Sequence, residues 1–240
     1  MPVCRVTPYS LQIRRFGMVN CYLVSEDDGL TLVDTGLGAA RIIIEAARQL
    51  QQPIRRIGLT HGHMDHTGSV NALRKRLTGQ QIHLLASERE ALILEQASGG
   101  VKTKTMKLLE GEPQQAVRGG FPKLNTQPDI KLHAGDAVGS LKVIDTPGHT
   151  PGHIAFFDER DGALYAGDGL MTFGGVRLPF DPPWYFPFIK MGTWHYPTSL
   201  ASARKLQTVE IKRVLPGHGP ALDVSATALK TAIERSEKTI

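Results

Sequence analysis

The feature that most constrains this chain is the run LTHGHMDHTG, Leu59 to Gly68. It holds three of the nine histidines and an aspartate within six residues, as His-x-His-x-Asp-His. A short apolar stretch, RRIGLT, leads into His61 and reads as a buried strand. TGSVNALRKRL follows and reads as a helix. Residues two apart on extended chain share a face, so His61 and His63 can reach one ion together. Asp65 and His66 lie where the chain turns into the helix and point elsewhere, which suits a second ion close by. Neutral imidazole and carboxylate are ligands for zinc and other divalent first-row metals.

Two ions need more ligands than four residues supply. Three further candidates each follow a strand-like run: His149 in VIDTPGHTPGH, Asp168 in LYAGDG and His218 in VLPGHGP. Each run ends in glycine, which frees the backbone to turn a side chain inward. His153 starts the next strand and reads as a support for the ligands or a core residue. Asp34, closing LTLVDTG, reads as a turn former or as an acceptor orienting a ligand histidine. His83 and His133 are expected inside strands, away from any site.

The remaining pattern alternates strands and helices. Helices are expected at Ala40–Leu50, from Ser87 to about 96, from about 199 to 208 and from about 226 to 238. Strands are expected at QIHLLA, IKLHA, LKVIDTPG, HIAFFD, GALYAGD and IKRVLP. Each half mixes sheet and helix, and sheets covered by helices on their outer faces are the expected packing. Two segments fit neither period and read as inserted loops, about 98–129 and 172–197. The first is polar and carries Lys102, Lys104, Lys107 and Lys123. The second holds eight of the fifteen aromatic residues and both tryptophans, too much apolar surface for plain disorder.

The ordered set His-x-His-x-Asp-His, Pro-Gly-His-Thr, Gly-Asp and Pro-Gly-His-Gly resembles the metallo-β-lactamase superfamily across nearly the whole chain. The resemblance implies an α/β fold, a four-layer αβ/βα sandwich, as one domain over 1–240 with a metal site at one edge. It assigns His61, His63 and His149 to one metal, Asp65, His66 and His218 to the other, and Asp168 as the bridge. Two divalent ions follow, zinc first among Zn, Mn, Fe and Co. The implied catalyst is a hydroxide bridging them, with Asp65 and Asp168 as catalytic carboxylates. The bridging aspartate resembles the glyoxalase II and lactonase-type branch. This branch implies attack on an ester, thioester or lactone carbonyl with an apolar substituent. Two alternatives share the scaffold: a mononuclear iron oxygenase or oxidoreductase, and a phosphodiester hydrolase.

The aromatic segment begins just after Asp168, so it is expected beside the metals. Phe173, Trp184, Tyr185 and Trp194 are the expected substrate contacts, or else the segment pairs two copies as a homodimer. The partner is expected to be a small molecule. Net charge is +5, but the basic residues are scattered and the longest run is Arg74–Arg76, which argues against nucleic acid. No run approaches the ~18 apolar residues of a membrane span. The N-terminal residues lack a secretory pattern, and the two cysteines, Cys4 and Cys21, form no C-x-x-C pair. A cytoplasmic setting is therefore expected.

Overall fold

The computed structural model describes residues 2–240. Runs of β-branched and apolar residues form two sheets. The first comprises β1 (Val3–Arg5), β2 (Ser10–Arg15), β3 (Val19–Glu26), β4 (Gly29–Val33), β5 (Ile54–Gly58), β6 (His83–Ser87) and β7 (Ile130–Leu132), in that spatial order. It is antiparallel from β1 to β4 and parallel from β4 to β7. The second comprises β8 (Ala137–Val138), β9 (Leu141–Asp145), β10 (Ile154–Asp158), β11 (Ala163–Gly167), β12 (Arg213–Pro216) and β13 (Leu222–Asp223), ordered β13-β12-β11-β10-β9-β8. Its one parallel pair is β11 with β12.

Helices cover both outer faces. α1 (Ala40–Gln49) buries Ala40, Ile43, Ala46 and Ala47, one stripe at helical spacing, on the first sheet. After the one-turn α2 (Met64–Thr67), α3 (Val70–Arg76) adds Val70 and Leu73 to the same layer. α4 (Glu88–Ser98) borders β6 and β7. The second sheet is covered by α6 (Tyr196–Leu206) and α7 (Ala226–Glu237), through Leu200, Ala203, Leu206, Leu229 and Ile233. Between the sheets lie Tyr22, Val24, Val33 and Leu85 from one side, and Val143, Phe156, Tyr165 and Leu215 from the other. The sequence expectation of a four-layer αβ/βα sandwich is met.

Several local expectations need adjustment. His133 lies just past the end of β7 rather than within a strand. The segment 98–129 has little regular structure beyond a single 3-10 turn, Thr103–Thr105, yet it is packed: Met106 and Val117 are buried against Ile93. The segment 172–197 contains a short helix, α5 (Phe188–Gly192), and buries Phe186 and Ile189 against the adjoining Met171. Among the described residues no helix is long and apolar enough to cross a membrane.

One cross-sheet tie bears directly on the metal-ligand loops. Asn20 on β3 donates through Nδ2 to the Pro216 and Gly219 carbonyls, at 3.0 and 2.7 Å, and Tyr22 Oη donates to Pro216 O at 2.7 Å. The two acceptors, Pro216 and Gly219, flank His218. Asn20→Ala leaves the Gly219 carbonyl without its donor in a buried setting. The expected cost is about 1–3 kcal/mol, read as a lowered urea midpoint at unchanged denaturant slope.

Candidate metal centre

Five histidines and two aspartates collect where the strands run out. β4 ends before Asp34, β5 before His61, β11 before Asp168 and β12 before His218; His149 sits in the turn after β9. The four histidines 61, 63, 66 and 149 are buried, as are His218 and Asp168, and Asp65 is half-buried. Close packing at this junction restricts neighbouring residues. A Cβ on Gly217 would fall onto Asp168 Oδ1 and His66 Cε1, so only glycine lets the His218 turn approach.

Each imidazole is fixed from outside by a hydrogen bond. His63 Nε2 donates to the Arg118 carbonyl at 2.9 Å, and His218 Nδ1 to the Met18 carbonyl at 3.0 Å. His66 Nδ1 donates to Asp34 Oδ2 at 2.8 Å. Thr193 Oγ1 gives its proton to Ile189 O, so at 3.0 Å it accepts from His149 Nδ1. Thr60 Oγ1 gives its proton to Asp34 Oδ2, so at 3.1 Å it accepts from His61 Nδ1. A neutral imidazole has one N–H. With all five spent outward, the five inward nitrogens carry lone pairs.

Those lone pairs face each other and two carboxylates. His61 Nε2 and His149 Nε2 lie 3.2 and 3.0 Å from His63 Nδ1. His66 Nε2 stands 3.2 Å from Asp168 Oδ1, and both atoms are buried without a hydrogen-bond partner. His218 Nε2 lies 3.2 Å from Asp65 Oδ2 and 3.3 Å from Asp168 Oδ2, which is also 3.3 Å from His149 Nε2. Lone pairs at such distances repel unless a cation sits among them. Tetrahedral zinc with nitrogen ligands at about 2.0–2.1 Å places those nitrogens about 3.3–3.4 Å apart, close to the spacing found. The donor set therefore fits metal ions. Three groups are compact enough to hold one: His61, His63 and His149; Asp65, His66 and His218; and His61, His66 and Asp168. The first two are the triads expected from sequence, and Asp168 touches both.

The electrostatics agree. Burial opposes charge on His218, but Asp168 and Asp65 overcome it and push its pKa up to about 10. His66 is raised in the same way, by Asp168, Asp65 and Asp34. Burial drives His61 and His149 well below the usual range. The carboxylate side of the pocket thus demands positive charge, and a divalent ion supplies it while the imidazoles stay neutral.

The supporting residues fall largely where expected. Asp34 is both a turn former, at φ +56°, and the acceptor of His66 and Thr60. His153 Nε2 accepts the Asp168 amide at 3.0 Å while its Nδ1 pairs with Thr146 Oγ1 at 2.8 Å. Trp194 requires correction. It is 2% exposed, and its indole N–H is spent on the Gln115 carbonyl at 2.7 Å. It braces the 98–129 segment against the His149 turn and takes no part in an open wall. Trp184 and Tyr185 are 90% and 53% exposed. Phe173 packs on Phe186, whose ring centroid lies 5.1 Å from that of His218. At the other end of the segment, Gly192 abuts His63 and His149.

Comparison with known proteins agrees with this geometry. The family model of the metallo-beta-lactamase superfamily matches residues 14–218. The chain belongs to this superfamily. It is 37% identical over 222 residues to the uncharacterized protein YobT of Bacillus subtilis, covering 92% of this chain and 91% of that protein. It is 29% identical over 168 residues to hydroxyacylglutathione hydrolase GloC of Haemophilus influenzae, covering 67% and 71%. Among solved structures, TTHA1623 in a di-iron-bound form aligns with a TM-score of 0.66 at 25% identity, over 98% of this chain and all of that one.

Sequence reasoning missed Glu90. It is fully buried on α4; its Oε1 accepts the Gly62 amide at 2.8 Å and its Oε2 the Thr150 hydroxyl at 2.8 Å. It thereby clamps the His61–His63 turn to the His149 turn. The available signal was an acid on the same helical face as Ile93 and Leu94. Burial pushes its pKa up to about 7 from 4.5, against the bonds from Thr150, Gly62 and Gly152. A carboxyl with a raised folded-state pKa stabilises the fold least above that pKa, where ionising it in the interior is costly. For the metal-stripped protein, Glu90→Gln is expected to gain on the parent by roughly 3 kcal/mol between pH 5 and pH 8. Denaturant melts at the two pH values check this; a constant gap would refute it.

Proposed function

We propose that this metallohydrolase-superfamily protein hydrolyses an ester, thioester or lactone whose acyl group carries an apolar substituent. The observation that carries the reading is the convergence of five inward lone pairs and two carboxylates on one pocket. His61, His63 and His149 would hold one divalent ion, Asp65, His66 and His218 a second, with Asp168 shared. Bound there, such ions lower the pKa of water to about 7 and polarise a carbonyl oxygen.

The chain's own residues have distinct roles. Asp34, Thr60, Thr193 and the Met18 and Arg118 carbonyls fix the tautomer and direction of each histidine. His153 orients Asp168 through its amide. Asp65 is the carboxylate least enclosed by protein, at 38% exposure. His66 and His218 keep it ionised, well below the ordinary carboxylate range, although burial alone would raise it. Ionised in this way, it would serve as a metal ligand and as a hydrogen-bond acceptor that orients the attacking water.

Phe173, Trp184, Tyr185 and Phe188 supply a surface for the apolar substituent, since binding sites are mostly apolar with a few polar groups. The choice of an acyl ester or thioester as substrate class also rests on likeness to the hydroxyacylglutathione hydrolase. Zinc is the first choice of metal, and the di-iron relative makes iron the main competitor.

Asp168→Ala and His63→Ala are each expected to lower kcat/KM on a phenylacetyl thioester by at least about 100-fold and to reduce bound metal below two ions per chain. Normal turnover in either variant, with metal lost, would end the reading. Trp184→Ala is expected to raise KM several-fold at an unchanged sedimentation coefficient. Unchanged kinetics with a smaller sedimenting species would instead assign the segment to a homodimer contact.

A further inference from the structure

Beside His63 the surface opens into a hollow of about 600 Å³. Its wall runs from the end of α4 through Val101, Lys102, Lys104 and Met106 to Gly119, Gly120 and Phe121. The lining includes two lysines and no carboxylate. Both lysines are exposed, and neither makes an ion pair among the described residues. Glu112, an acid of the same segment, is already held by Arg89 at 2.6 and 2.9 Å.

This hollow shares a wall with the metal pocket. The strip Arg118–Phe121 is bonded to the metal loop twice, by His63 Nε2 donating to Arg118 O at 2.9 Å and by Met64 N donating to Gly120 O at 2.8 Å. The Phe121 ring centroid is 4.9 Å from that of His63. Gly119, at φ +92°, lies so close that a Cβ would overlap His63 Nε2. The Arg118–Phe121 strip thus has His63 packed on it and also lines the hollow with the lysines.

We infer that the hollow lined by Lys102, Lys104 and Phe121 receives an anionic group of the substrate, a carboxylate or a phosphate, carried past the reacting carbonyl. This rests on the hydrolase reading for the word substrate, but the hollow and its charge stand without it. Lysine is a point charge on a flexible stem, suited to either anion without bidentate geometry. With no acid in the lining, its field is uncompensated, and electrostatic attraction acts mainly on capture of the ligand. The exposed aromatic residues Trp184, Tyr185 and Phe188 of the other segment would leave the two ends of the substrate chemically distinct: one apolar, one charged.

The first test needs no catalysis. Zinc-loaded protein labelled with nitrogen-15 is titrated with 3-phenylpropionate, 2-phenylethyl phosphate and the neutral 3-phenylpropanamide. Both anions are expected to shift the amides of residues 101–106 and 119–121, the amide ligand leaving them unmoved. Whichever anion binds tighter identifies the group. Lys102→Gln/Lys104→Gln should weaken that binding about 5–10-fold, while Lys75→Gln/Arg76→Gln, at the far end of α3, should not. Shifts confined to the metal loops, or indifferent to the Lys102/Lys104 change, would overturn the assignment. The second test compares phenylacetyl thioesters of 3-mercaptopropionate and of 3-mercaptopropionamide. The anionic substrate is expected to have the higher kcat/KM, the advantage shrinking at least threefold in the double variant and in 0.5 M salt. Equal rates in the parent would count against the hollow. Absence of hydrolysis with both would instead count against the hydrolase reading, leaving the titration to decide this one.

Discussion

Five outward hydrogen bonds determine what the pocket can be. Each spends the only N–H of a buried imidazole on an acceptor outside the pocket. Two acceptors are main-chain carbonyls, of Met18 and Arg118; two are hydroxyls whose own protons are committed elsewhere; one is the carboxylate of Asp34. The inward nitrogens are thereby left as lone pairs in a space from which water is largely excluded. Such an arrangement is costly for the protein alone and favourable once positive charge enters. Folding has placed the destabilising half of a metal site in advance.

The fold explains how side chains 157 positions apart in sequence come to share that space. In both sheets the ligand-bearing strands end at the same edge of the sandwich. The inter-sheet core of Tyr22, Phe156, Tyr165 and Leu215 fixes one sheet against the other. Local ties then refine the positions. Asn20 and Tyr22 hold the His218 turn from the first sheet, and Glu90 holds the His61–His63 turn against that of His149. The segments that fit no regular period, 98–129 and 172–197, both border the metal ligands, the first through Gly119 at His63 and the second through Phe186 at His218 and Gly192 at His63 and His149. Rigid elements carry the ligands and irregular ones border the space where a substrate would lie, the usual division between scaffold and recognition surface.

Legibility in the sequence followed the range of the interactions. His61, His63, Asp65 and His66 are neighbours along the chain, so their joint purpose could be read directly. His149, Asp168 and His218 became readable through the shared pattern of a strand ending in glycine and then a ligand. Period-2 and period-3.6 runs gave the alternation of strands and helices, and the four-layer arrangement came from the family resemblance. Contacts made by backbone carbonyls left no residue-type trace, so Met18 and Arg118 were invisible. Glu90 and Thr193 act across 28 to 60 positions, and nothing in their immediate neighbours announces a bond to Gly62, Thr150 or His149. Trp194 was misread because an aromatic residue in a long connection looks like a surface contact. Its indole was in fact needed to bind Gln115 beneath that connection. The N-terminal strands β1 and β2 escaped notice because Arg14 and Arg15 blur the alternation along an edge of the sheet.

The central claim is that the inward lone pairs and the carboxylates of Asp65 and Asp168 exist to hold two cations. The most direct measurement is a crystal structure of the protein as purified, with anomalous diffraction collected on both sides of the zinc and iron absorption edges. Two anomalous peaks are expected, one among His61, His63 and His149 and one among Asp65, His66 and His218, with Asp168 in reach of both. A pocket closed by water or by rotated imidazoles, with neither peak after metal is supplied, would contradict it.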